Sequence, residues 1–381
     1  MGQGWGVTME ITAAVLAASG EADAPYAESA PLVIKNLTLD APKPSELLVR
    51  IDAAGICHSD LSVINGDRPR PMPMALGHEA AATVLATGDA DDAQFSIGDQ
   101  VVLVFLPSCG ECVACASGQG YLCPNAAAAN GEGRLMRGGR RLHDGACEVH
   151  HHLGVSAFAS HAVVDRRSAV KVDRDIPPET AALFGCAVLT GVGAVMNTAA
   201  VRPGESVLIY GLGGVGLAAL LGALATGAQP VMAIDPSPEK RALALELGAA
   251  MAVAPDAAGE LPKAQVVIET VGKAAVLAQA YAAAARGGRI VTVGLPNPSE
   301  MLNISALSLV VEGKTLVGSY MGSSIPSRDI PRYVALWRAG RLPVERLLTS
   351  VSPLCDINML MDRLASGAAI RQVVVPDHSA P

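Results

Sequence analysis

The chain has 381 residues, of which 50% are hydrophobic and only 3% aromatic, and 28 basic residues stand against 36 acidic ones for a net charge of -8. This length favours two domains over one core. The acidic balance without a basic block argues against nucleic acid or an anionic membrane as a partner. Because no basic segment precedes the short apolar run at the N-terminus, we predict no secretory signal and a cytoplasmic protein.

The first part of the chain, from about residue 11 to residue 172, consists of short β-type runs separated by glycine and proline. LLVRIDAAG, ATVLATG, DQVVLVF and ASHAVVD have the composition of strands. Residues 126–150, with a run of alanines followed by glycines and arginines, are predicted to form a long surface loop. This part of the sequence therefore predicts a β-rich domain.

Two motifs in this part, GICHSD at residues 55–60 and GHEA at residues 77–80, place cysteine, histidine and acids in apolar surroundings. Isolated cysteines and histidines are usually packed core residues. With Cys186, which lies in LFGCAVLTGVGA, Cys57 and His78 would form a Cys₂His set with a free fourth position, as in a catalytic zinc site. Spacing alone leaves both interpretations open.

Half of the 8 cysteines lie in CGECVACASGQGYLC, at the spacing C-x2-C-x2-C-x7-C. Four thiolates at this spacing can surround one Zn²⁺ and leave no open position, which is typical of a structural site. An iron–sulfur cluster is the alternative, but the long last gap fits ferredoxin spacing poorly. We predict a structural zinc lobe over about residues 106–125, with the ligands Cys109, Cys112, Cys115 and Cys123.

Three consecutive histidines at residues 150–152 could suggest another metal site. Consecutive residues on a strand point to alternate faces, which suits chelation badly. We interpret these histidines as residues of a loop and of the start of a strand. Cys147 and Cys355 are interpreted as non-ligands.

The pattern changes near residue 185, where apolar strands begin to alternate with alanine-rich helical stretches. SVLIYG, PVMAID, AQVVIETVG and GRIVTVG are predicted strands, and ALALELGA and KAAVLAQAYAAAARGG have helical spacing. This alternation predicts an α/β fold with a doubly wound parallel sheet. Residues 207–234 carry no charge, and the segment is long enough to cross a bilayer. Its glycines and proline, and the lack of aromatic or basic clusters on either side, favour a buried strand and helix instead.

The strand SVLIYG leads into a G-x-G-x-x-G motif that is followed directly by a helix. Such glycines allow the tight turn, the approach of a pyrophosphate and close packing of the helix, whose N-terminus faces the phosphates. An acid at the end of the next strand would bind the ribose 2′-OH and repel a 2′-phosphate, which favours NAD over NADP. A glycine-rich turn without a ligand is the alternative. The residues assigned to NAD here are Gly211, Gly213, Gly214, Val215, Gly216 and Asp235.

In their combination and order, these motifs resemble the zinc-containing medium-chain alcohol dehydrogenases. The resemblance covers almost the whole chain, since GCAVLTG, VGSYMG at residues 317–322 and Ile370-Arg371 also match. It implies a GroES-like catalytic domain and a Rossmann domain that binds NAD. We predict a catalytic domain over residues 1–187, the NAD-binding domain over residues 188–324 and a return to the catalytic domain over residues 325–381.

The resemblance also assigns roles to individual residues. It makes Cys57, His78 and Cys186 the catalytic zinc ligands, and therefore implies two zinc ions per chain. The residues implied around this zinc are Asp60, which orients His78; Glu79, which lies beside the metal; Ser59, which bonds the alcohol oxygen and starts the proton relay; and Phe105, which lines the pocket. The further residues implied to contact the cofactor are His58 and Arg371 at the pyrophosphate, Lys240 at the ribose, and Gly294.

Two departures from the family pattern stand out. Ser62 occupies the position where many relatives carry a relay histidine, so the later path of the proton is open. The glutathione-dependent formaldehyde branch holds glutathione with an acidic pair and an arginine. Here the matching stretch at residues 67–70 reads Asp-Arg-Pro-Arg, and Ala127 replaces the arginine, which disfavours that branch although residues 126–150 resemble it.

The leading hypothesis is a zinc-dependent, NAD-linked dehydrogenase of primary or aromatic alcohols, or of the reverse aldehyde reduction. A polyol or secondary-alcohol dehydrogenase is disfavoured by Cys186, since sorbitol-type relatives carry an acid there. A silent NAD-binding sensor would be expected to lose Ser59 or a zinc ligand, and the sequence retains them. The predicted partners are a small alcohol or aldehyde and a second copy of the chain in a homodimer, with a tetramer as the alternative.

Overall fold

The computed structural model describes residues 8–378 and divides into two compact units. The first unit contains the chain up to Cys186 and resumes at Leu348, while the second runs over Ala187–Leu347. The C-terminal segment therefore returns to the unit in which the chain begins.

The strands follow one another along both units. In chain order they are β1 (Thr8–Leu16), β2 (Leu32–Asp40), β3 (Glu46–Ile56), β4 (Met74–Ala75), β5 (Ala80–Thr87), β6 (Gln100–Leu103), β7 (Leu142–Asp144), β8 (Cys147–His151), β9 (His161–Asp165), β10 (Ala169–Val172), β11 (Val207–Tyr210), β12 (Val231–Ile234), β13 (Met251–Val253), β14 (Ala264–Glu269), β15 (Ala284–Thr292), β16 (Thr315–Gly318), β17 (Leu348–Pro353) and β18 (Arg371–Val375).

The helices are mostly short in the first unit and longer in the second. They are α1 (Tyr26–Ser29), α2 (His58–Ile64), α3 (Val113–Ala116), α4 (Pro124–Gly131), α5 (Pro178–Leu183), α6 (Ala187–Gly193), α7 (Gly214–Ala225), α8 (Pro238–Glu246), α9 (Ala274–Ala283), α10 (Ala306–Val311), α11 (Pro326–Arg338) and α12 (Ile357–Ala365). A π-helical turn over Ala194–Thr198 continues α6.

In the first unit, β1, β2, β7, β8 and β4 close into a small barrel. A second sheet has the order β10, β6, β5, β3, β18, β17, with β9 also paired to β3. Alternate residues of β3 enter the core, where Leu47 and Val49 are fully buried. β18 pairs antiparallel with β3 and aligns Val373 with Gly55, so the start of β18 lies beside the end of β3.

In the second unit, six parallel strands form one sheet in the order β13, β12, β11, β14, β15, β16. The central strands β11 and β12 are buried along their whole length, as their apolar sequences require. The strand order reverses at β11, which is the arrangement of a doubly wound sheet with its ligand site at the end of that strand. The predicted α/β fold and the four predicted strands of this half are confirmed.

The charge-free residues 207–234 form β11, α7 and β12 of this sheet. In the part of the chain that the structure describes, we find no helix with the length and apolar character needed to cross a membrane.

The segment at residues 126–150 is not the long surface loop that its sequence suggested. Its alanine run forms α4, which begins at Pro124, and the later part contains β7 and β8. Asn130 is buried and donates to the Phe105 carbonyl oxygen over 2.8 Å, and Arg141 forms a buried ion pair with Glu46. These polar contacts hold the segment against the rest of the unit.

The second domain boundary also differs from the prediction, because the second unit extends to Leu347 instead of ending at residue 324. The reason lies in α11, whose Asp329 and Tyr333 are buried. The Asn197 side-chain amide lies 3.2 Å from the Asp329 carboxylate and 3.4 Å from the Tyr333 hydroxyl. These contacts keep α11 in the second unit, and the chain returns to the first at Leu348.

Candidate active site

Cys57 lies where β3 ends and α2 begins. Its backbone N–H donates to Asp60 Oδ2 over 2.9 Å, and the Asp60 N–H donates to the Cys57 carbonyl oxygen over 3.0 Å. This reciprocal pair caps the helix and fixes its first turn. The strand–helix junction thus holds a thiol and a carboxylate in one rigid turn.

His78 and Glu79 lie directly before β5. Gly77 before them has a φ of +91°, and a Cβ there would lie 2.4 Å from the Phe158 nitrogen, so this turn requires glycine. His78 Nδ1 lies 2.9 Å from Asp60 Oδ1, and both side chains are buried. Because this contact occupies Nδ1, the ring presents Nε2 for another role.

Cys186 follows α5 and completes a cluster with the residues already described. The sulfurs of Cys57 and Cys186, a His78 ring nitrogen and a Glu79 carboxylate oxygen all lie within 4.8 Å of one another. Among the described residues, His78 Nε2 is buried without a hydrogen-bond partner. Two thiols and an imidazole nitrogen that lacks a partner are the donor set of a catalytic zinc site, and the residues present therefore fit this ion.

Charged neighbours alter the acidity of these donors. A hydrogen bond with Cys186 lowers the pKa of the Cys57 thiol most, and His78 and Arg371 lower it further, against the effect of burial. Burial would lower the pKa of His78, but the Asp60 carboxylate raises it to about 10. The cluster thus favours a thiolate at Cys57, which is the form that binds metal.

Glu79 and Arg371 form a buried ion pair beside this cluster. The sequence comparison with the family implied that Arg371 contacts the cofactor pyrophosphate, whereas here its guanidinium lies against Glu79. A Glu79 carboxylate oxygen lies within 4.8 Å of the cysteine sulfurs, and its role beside a metal stays a prediction. The pairing of β18 with β3 is what brings Arg371 to this position.

Ser59 and Phe105 lie beside the cluster, and the roles that the resemblance implies for them stay predictions. Ser59 Oγ lies 3.9 Å from Cys57 Sγ, so its hydroxyl is beside the thiol. The Phe105 ring packs edge-on against the His78 ring with 5.7 Å between centroids. Ser62 donates to the His58 carbonyl oxygen over 2.8 Å within α2, and His58 itself is exposed.

The four cysteines of the predicted zinc lobe come together in the first unit. Their sulfurs lie within 4.8 Å of one another. Backbone N–H groups also approach these sulfurs, with Cys112 N 3.3 Å from Cys109 Sγ and Cys115 N 3.5 Å from Cys112 Sγ. Such N–H groups stabilise thiolates, and those of Glu111 and Cys112 lower the pKa of Cys109 to about 6. The lobe fits a closed tetrahedral zinc site.

In the second unit, the glycine loop joins β11 to α7. A Cβ at Gly216 would lie 1.8 Å from the Gly211 carbonyl oxygen, so packing within the loop requires that glycine. A Cβ at Gly213 would meet nothing within 4 Å. A glycine that the protein's own packing does not require suggests that a ligand approaches there, and α7 begins at this point with Gly214, without a side-chain cap at Gly213. The loop therefore fits a dinucleotide pyrophosphate.

Asp235 directly follows β12 and is buried. Its carboxylate accepts the Leu212 N–H over 2.7 Å and the Ser237 N–H over 2.9 Å, so it joins the glycine loop to the start of α8. Lys240 lies in the first turn of α8, and Val215 in the first turn of α7. Gly294 packs directly on Gly272, where a Cβ would lie 2.1 Å from the Gly272 nitrogen, and its cofactor contact stays a prediction.

Comparison with known proteins identifies the family. A GroES-like alcohol dehydrogenase domain matches residues 43–174, and a zinc-binding dehydrogenase domain matches residues 214–338. Geraniol dehydrogenase of Castellaniella defragrans is 38% identical over 91% of this chain and 94% of its own. The chain belongs to the zinc-containing medium-chain alcohol dehydrogenases. It is an oxidoreductase that acts on alcohols, with zinc and a nicotinamide cofactor.

Two other alcohol dehydrogenases are similar to the chain over nearly their whole length. The NDMA-dependent alcohol dehydrogenase of Amycolatopsis methanolica is 35% identical over 98% of this chain and 100% of its own. The crystal structure of benzyl alcohol dehydrogenase from Acinetobacter calcoaceticus superposes with a TM-score of 0.89, at 29% identity over 97% of this chain and 100% of its own.

Two buried residues near the predicted sites were not identified from the dehydrogenase sequence. Glu269, at the end of β14, accepts the backbone N–H groups of Val271 and Gly272, each over 2.7 Å, in the loop that faces Gly211. His152 lies 3.3 Å from Asp60. An acid that ends a strand whose only other polar residue is Gln265 was a usable sign for Glu269. For His152 the sequence offered only the histidine triplet.

Proposed function

We propose that the protein is a zinc- and NAD-dependent dehydrogenase of primary or aromatic alcohols that can also reduce the corresponding aldehydes. The observation that carries this proposal is the convergence of Cys57, His78 and Cys186 within 4.8 Å, with His78 Nε2 buried and lacking a partner among the described residues. These three residues would hold the catalytic zinc. The four-cysteine lobe would hold a second, structural zinc ion.

When bound by these ligands, zinc supplies a Lewis acid that makes an alcohol more acidic. The chain's own residues then have separate tasks. Ser59, whose hydroxyl lies beside the Cys57 sulfur, accepts the proton of the alcohol while its own hydroxyl proton passes on to solvent. Phe105 provides an apolar surface next to His78, and Asp60 holds the His78 ring in one orientation.

The cofactor preference follows from Asp235. Its carboxylate is fixed by the Leu212 and Ser237 N–H groups at the end of β12, where an adenosine ribose is bound in doubly wound sheets. A fixed carboxylate accepts a hydrogen bond from the ribose 2′-OH and repels a 2′-phosphate. This supports NAD as the cofactor rather than NADP.

The substrate class is supported by the names of the relatives and by the ligand set. The chain is 38% identical to a geraniol dehydrogenase and has the same fold as a benzyl alcohol dehydrogenase, and both alcohols are primary. Cys186 argues against a polyol dehydrogenase of the sorbitol type. The basic stretch at residues 67–70 and Ala127 argue against a glutathione-dependent formaldehyde dehydrogenase.

The proposal is tested with purified, zinc-loaded protein and a panel of benzyl alcohol, geraniol, sorbitol and S-hydroxymethylglutathione. Formation of NADH is followed by absorbance, with NADP as the competing cofactor. Turnover of benzyl alcohol or geraniol with NAD is expected at a kcat/KM at least about tenfold above that of the other two substrates. Because one relative is named for NDMA dependence, the panel is repeated with NDMA as the acceptor. Absence of turnover under both conditions would indicate a silent cofactor-binding protein.

The surface of the second unit supports a homodimer. No residue of α10 is buried, and Leu307 and Val310 are 71% and 78% exposed. Shortly after this helix, β16 forms the last strand of the six-stranded sheet among the described residues. An open sheet edge and an apolar helix in one short segment form a surface that a second copy can cover. A reducing cytoplasm would keep the cysteines that we propose as zinc ligands in the thiol or thiolate form.

A further inference from the structure

His152 directly follows β8, on a segment that runs along the turn carrying His78. β8 pairs parallel with β4, and beyond it the Ala157 N–H donates to the Gly77 carbonyl oxygen over 3.0 Å. The His152 N–H donates to Ser156 Oγ over 2.9 Å. The backbone around His152 is therefore fixed relative to the His78 turn.

The turn after His152 is unusual in its backbone conformation. Leu153 and Ser156 both have positive φ values, of 51° and 56°, although neither is glycine. Residues other than glycine adopt this region only when the surrounding contacts favour it strongly. One effect of this turn is to direct the chain so that the His152 side chain is buried beside Asp60.

The His152 side chain has two contacts in this position. Its Nδ1 lies 3.3 Å from Asp60 Oδ1, the same oxygen that His78 Nδ1 approaches at 2.9 Å. Its ring also packs edge-on against the His78 ring, with 5.4 Å between centroids and an angle of 82°. With Phe105 in a similar edge-on contact at 5.7 Å, the His78 ring is restrained by two aromatic neighbours and one carboxylate.

Asp60 is fully buried, and a buried carboxylate is costly unless hydrogen-bond donors surround it. The backbone N–H of Cys57 donates to Oδ2, and His78 Nδ1 is in hydrogen-bond contact with Oδ1. His152 Nδ1 approaches the same Oδ1 at 3.3 Å without forming a hydrogen bond among the described residues, so it lies where a small shift would make it a second donor. Because His78 Nδ1 is committed to Asp60, the trio of Asp60, His78 and His152 is not a separate metal site. It is a support for the His78 ring.

We propose that His152 is a positioning residue of the zinc site formed by Cys57, His78 and Cys186. It braces the Asp60 carboxylate and the edge of the His78 ring, and so keeps His78 Nε2 directed at the two cysteine sulfurs. This inference rests on the proposed function, because it requires zinc at that cluster. Side chains that orient metal ligands in this way typically contribute about 10- to 100-fold in metal affinity.

The test measures release of zinc from the loaded protein to a chromogenic chelator, independently of catalysis. His152→Phe keeps an aromatic ring but removes the N–H group, and His152→Asn restores a donor near the position of Nδ1. His143→Phe is the control, since His143 pairs with Asp40 at the surface of the same unit. We expect His152→Phe to release one of the two zinc ions about 10- to 100-fold faster, and His152→Asn and the control to resemble wild type.

The second zinc, in the four-cysteine lobe, should leave at the same rate in every variant. Release from His152→Phe at the wild-type rate, equal acceleration of both zincs, or failure of His152→Asn to restore slow release would each overturn the proposal. If His152→Phe does not fold, His152→Leu replaces it as the variant without a donor. Wild-type protein that holds zinc only in the four-cysteine lobe would contradict the proposed function instead.

Discussion

Asp60 and Cys57 are hydrogen-bonded to each other twice, through the Cys57 N–H to Asp60 Oδ2 at 2.9 Å and the Asp60 N–H to the Cys57 carbonyl at 3.0 Å. The other oxygen of the same carboxylate contacts His78. One acid therefore fixes two of the three proposed zinc ligands, the first through the backbone and the second through its ring. A local helix cap is thereby part of the metal site.

The two metal sites should differ in how readily they release zinc. We expect two zinc ions per chain, one exchangeable at the open site and one retained in the closed four-cysteine lobe, because a site with an open position admits chelators. Metal analysis of Cys57→Ser should show the loss of about one zinc with the fold retained. Cys112→Ser serves as the matched variant for the other site. Loss of both metals from Cys57→Ser, or iron in place of zinc, would show that the assignment is wrong.

The elements that could be predicted from the sequence are those whose pattern is local. The strand β11, the glycine loop and α7 follow one another without a gap, and the four cysteines of the lobe span few residues. In such segments the residues that act together are also close in sequence, so their spacing is enough to predict the local structure or the ligand set. The predicted strands in the first unit, such as β3 and β5, are confirmed for the same reason.

The features that could not be predicted depend on pairing between distant segments. His152 reaches Asp60 only because β8 pairs with β4, and nothing in the histidine triplet indicates that pairing. Similarly, nothing in the local sequence of α11 indicates the unit in which its buried residues Asp329 and Tyr333 pack. The contacts of Asp329 with Asn197 decide this.

The cofactor preference should depend on Asp235. Asp235→Ser should reduce the difference in kcat/KM between NAD and NADP, because the carboxylate that repels a 2′-phosphate is removed. Since Asp235 also accepts the Leu212 and Ser237 N–H groups, Asp235→Asn is the control that keeps an acceptor oxygen without the charge. The ratio of kcat/KM for the two cofactors is the measurement. A wild-type enzyme that already prefers NADP would contradict this assignment.

The association state should depend on α10. Val310 is 78% exposed, and Val310→Asp would place a charge on the surface that we propose a second copy covers. We expect sedimentation velocity to show a dimer for the wild type and a shift towards monomer for the variant. Val113→Asp is a control on the first unit, where Val113 is 87% exposed. A dimer that tolerates Val310→Asp, or a wild-type monomer, would exclude this interface.

The stability of the protein should fall in mild acid partly through His151. Burial lowers the pKa of His151 to about 3, from an ordinary value of 6.5, and its Nε2 accepts the Arg141 N–H over 3.1 Å. Below about pH 6.5 the His151 ring therefore binds a proton in the unfolded chain but stays neutral in the folded chain until about pH 3. The free energy of unfolding consequently decreases as the pH falls. His151 would contribute a loss of about 2 kcal/mol between pH 6.5 and pH 5.

The variant His151→Gln, which can accept the same N–H but does not titrate, should lose less stability over this range. Urea unfolding at both pH values measures the difference. Equal losses in the wild type and the variant would show that this histidine does not contribute to acid sensitivity.

The last prediction separates a dehydrogenase from a silent cofactor-binding protein. Ser59→Ala should retain both zinc ions and the affinity for NAD, because Ser59 is not one of the proposed zinc ligands and the glycine loop is elsewhere in the chain. Turnover should fall by about 10² to 10⁴, which is the usual contribution of a positioned proton acceptor. The loss of turnover should be smaller at high pH, where hydroxide can take the proton of the alcohol.

Ser62→Ala is the matched control for this experiment, because the Ser62 hydroxyl is already committed to the His58 carbonyl oxygen at 2.8 Å. We expect this variant to keep most of its turnover. If Ser59→Ala instead stays fully active and Ser62→Ala loses activity, the proton leaves through Ser62, at the position where many relatives carry a histidine. If both variants remain fully active, neither hydroxyl takes the proton.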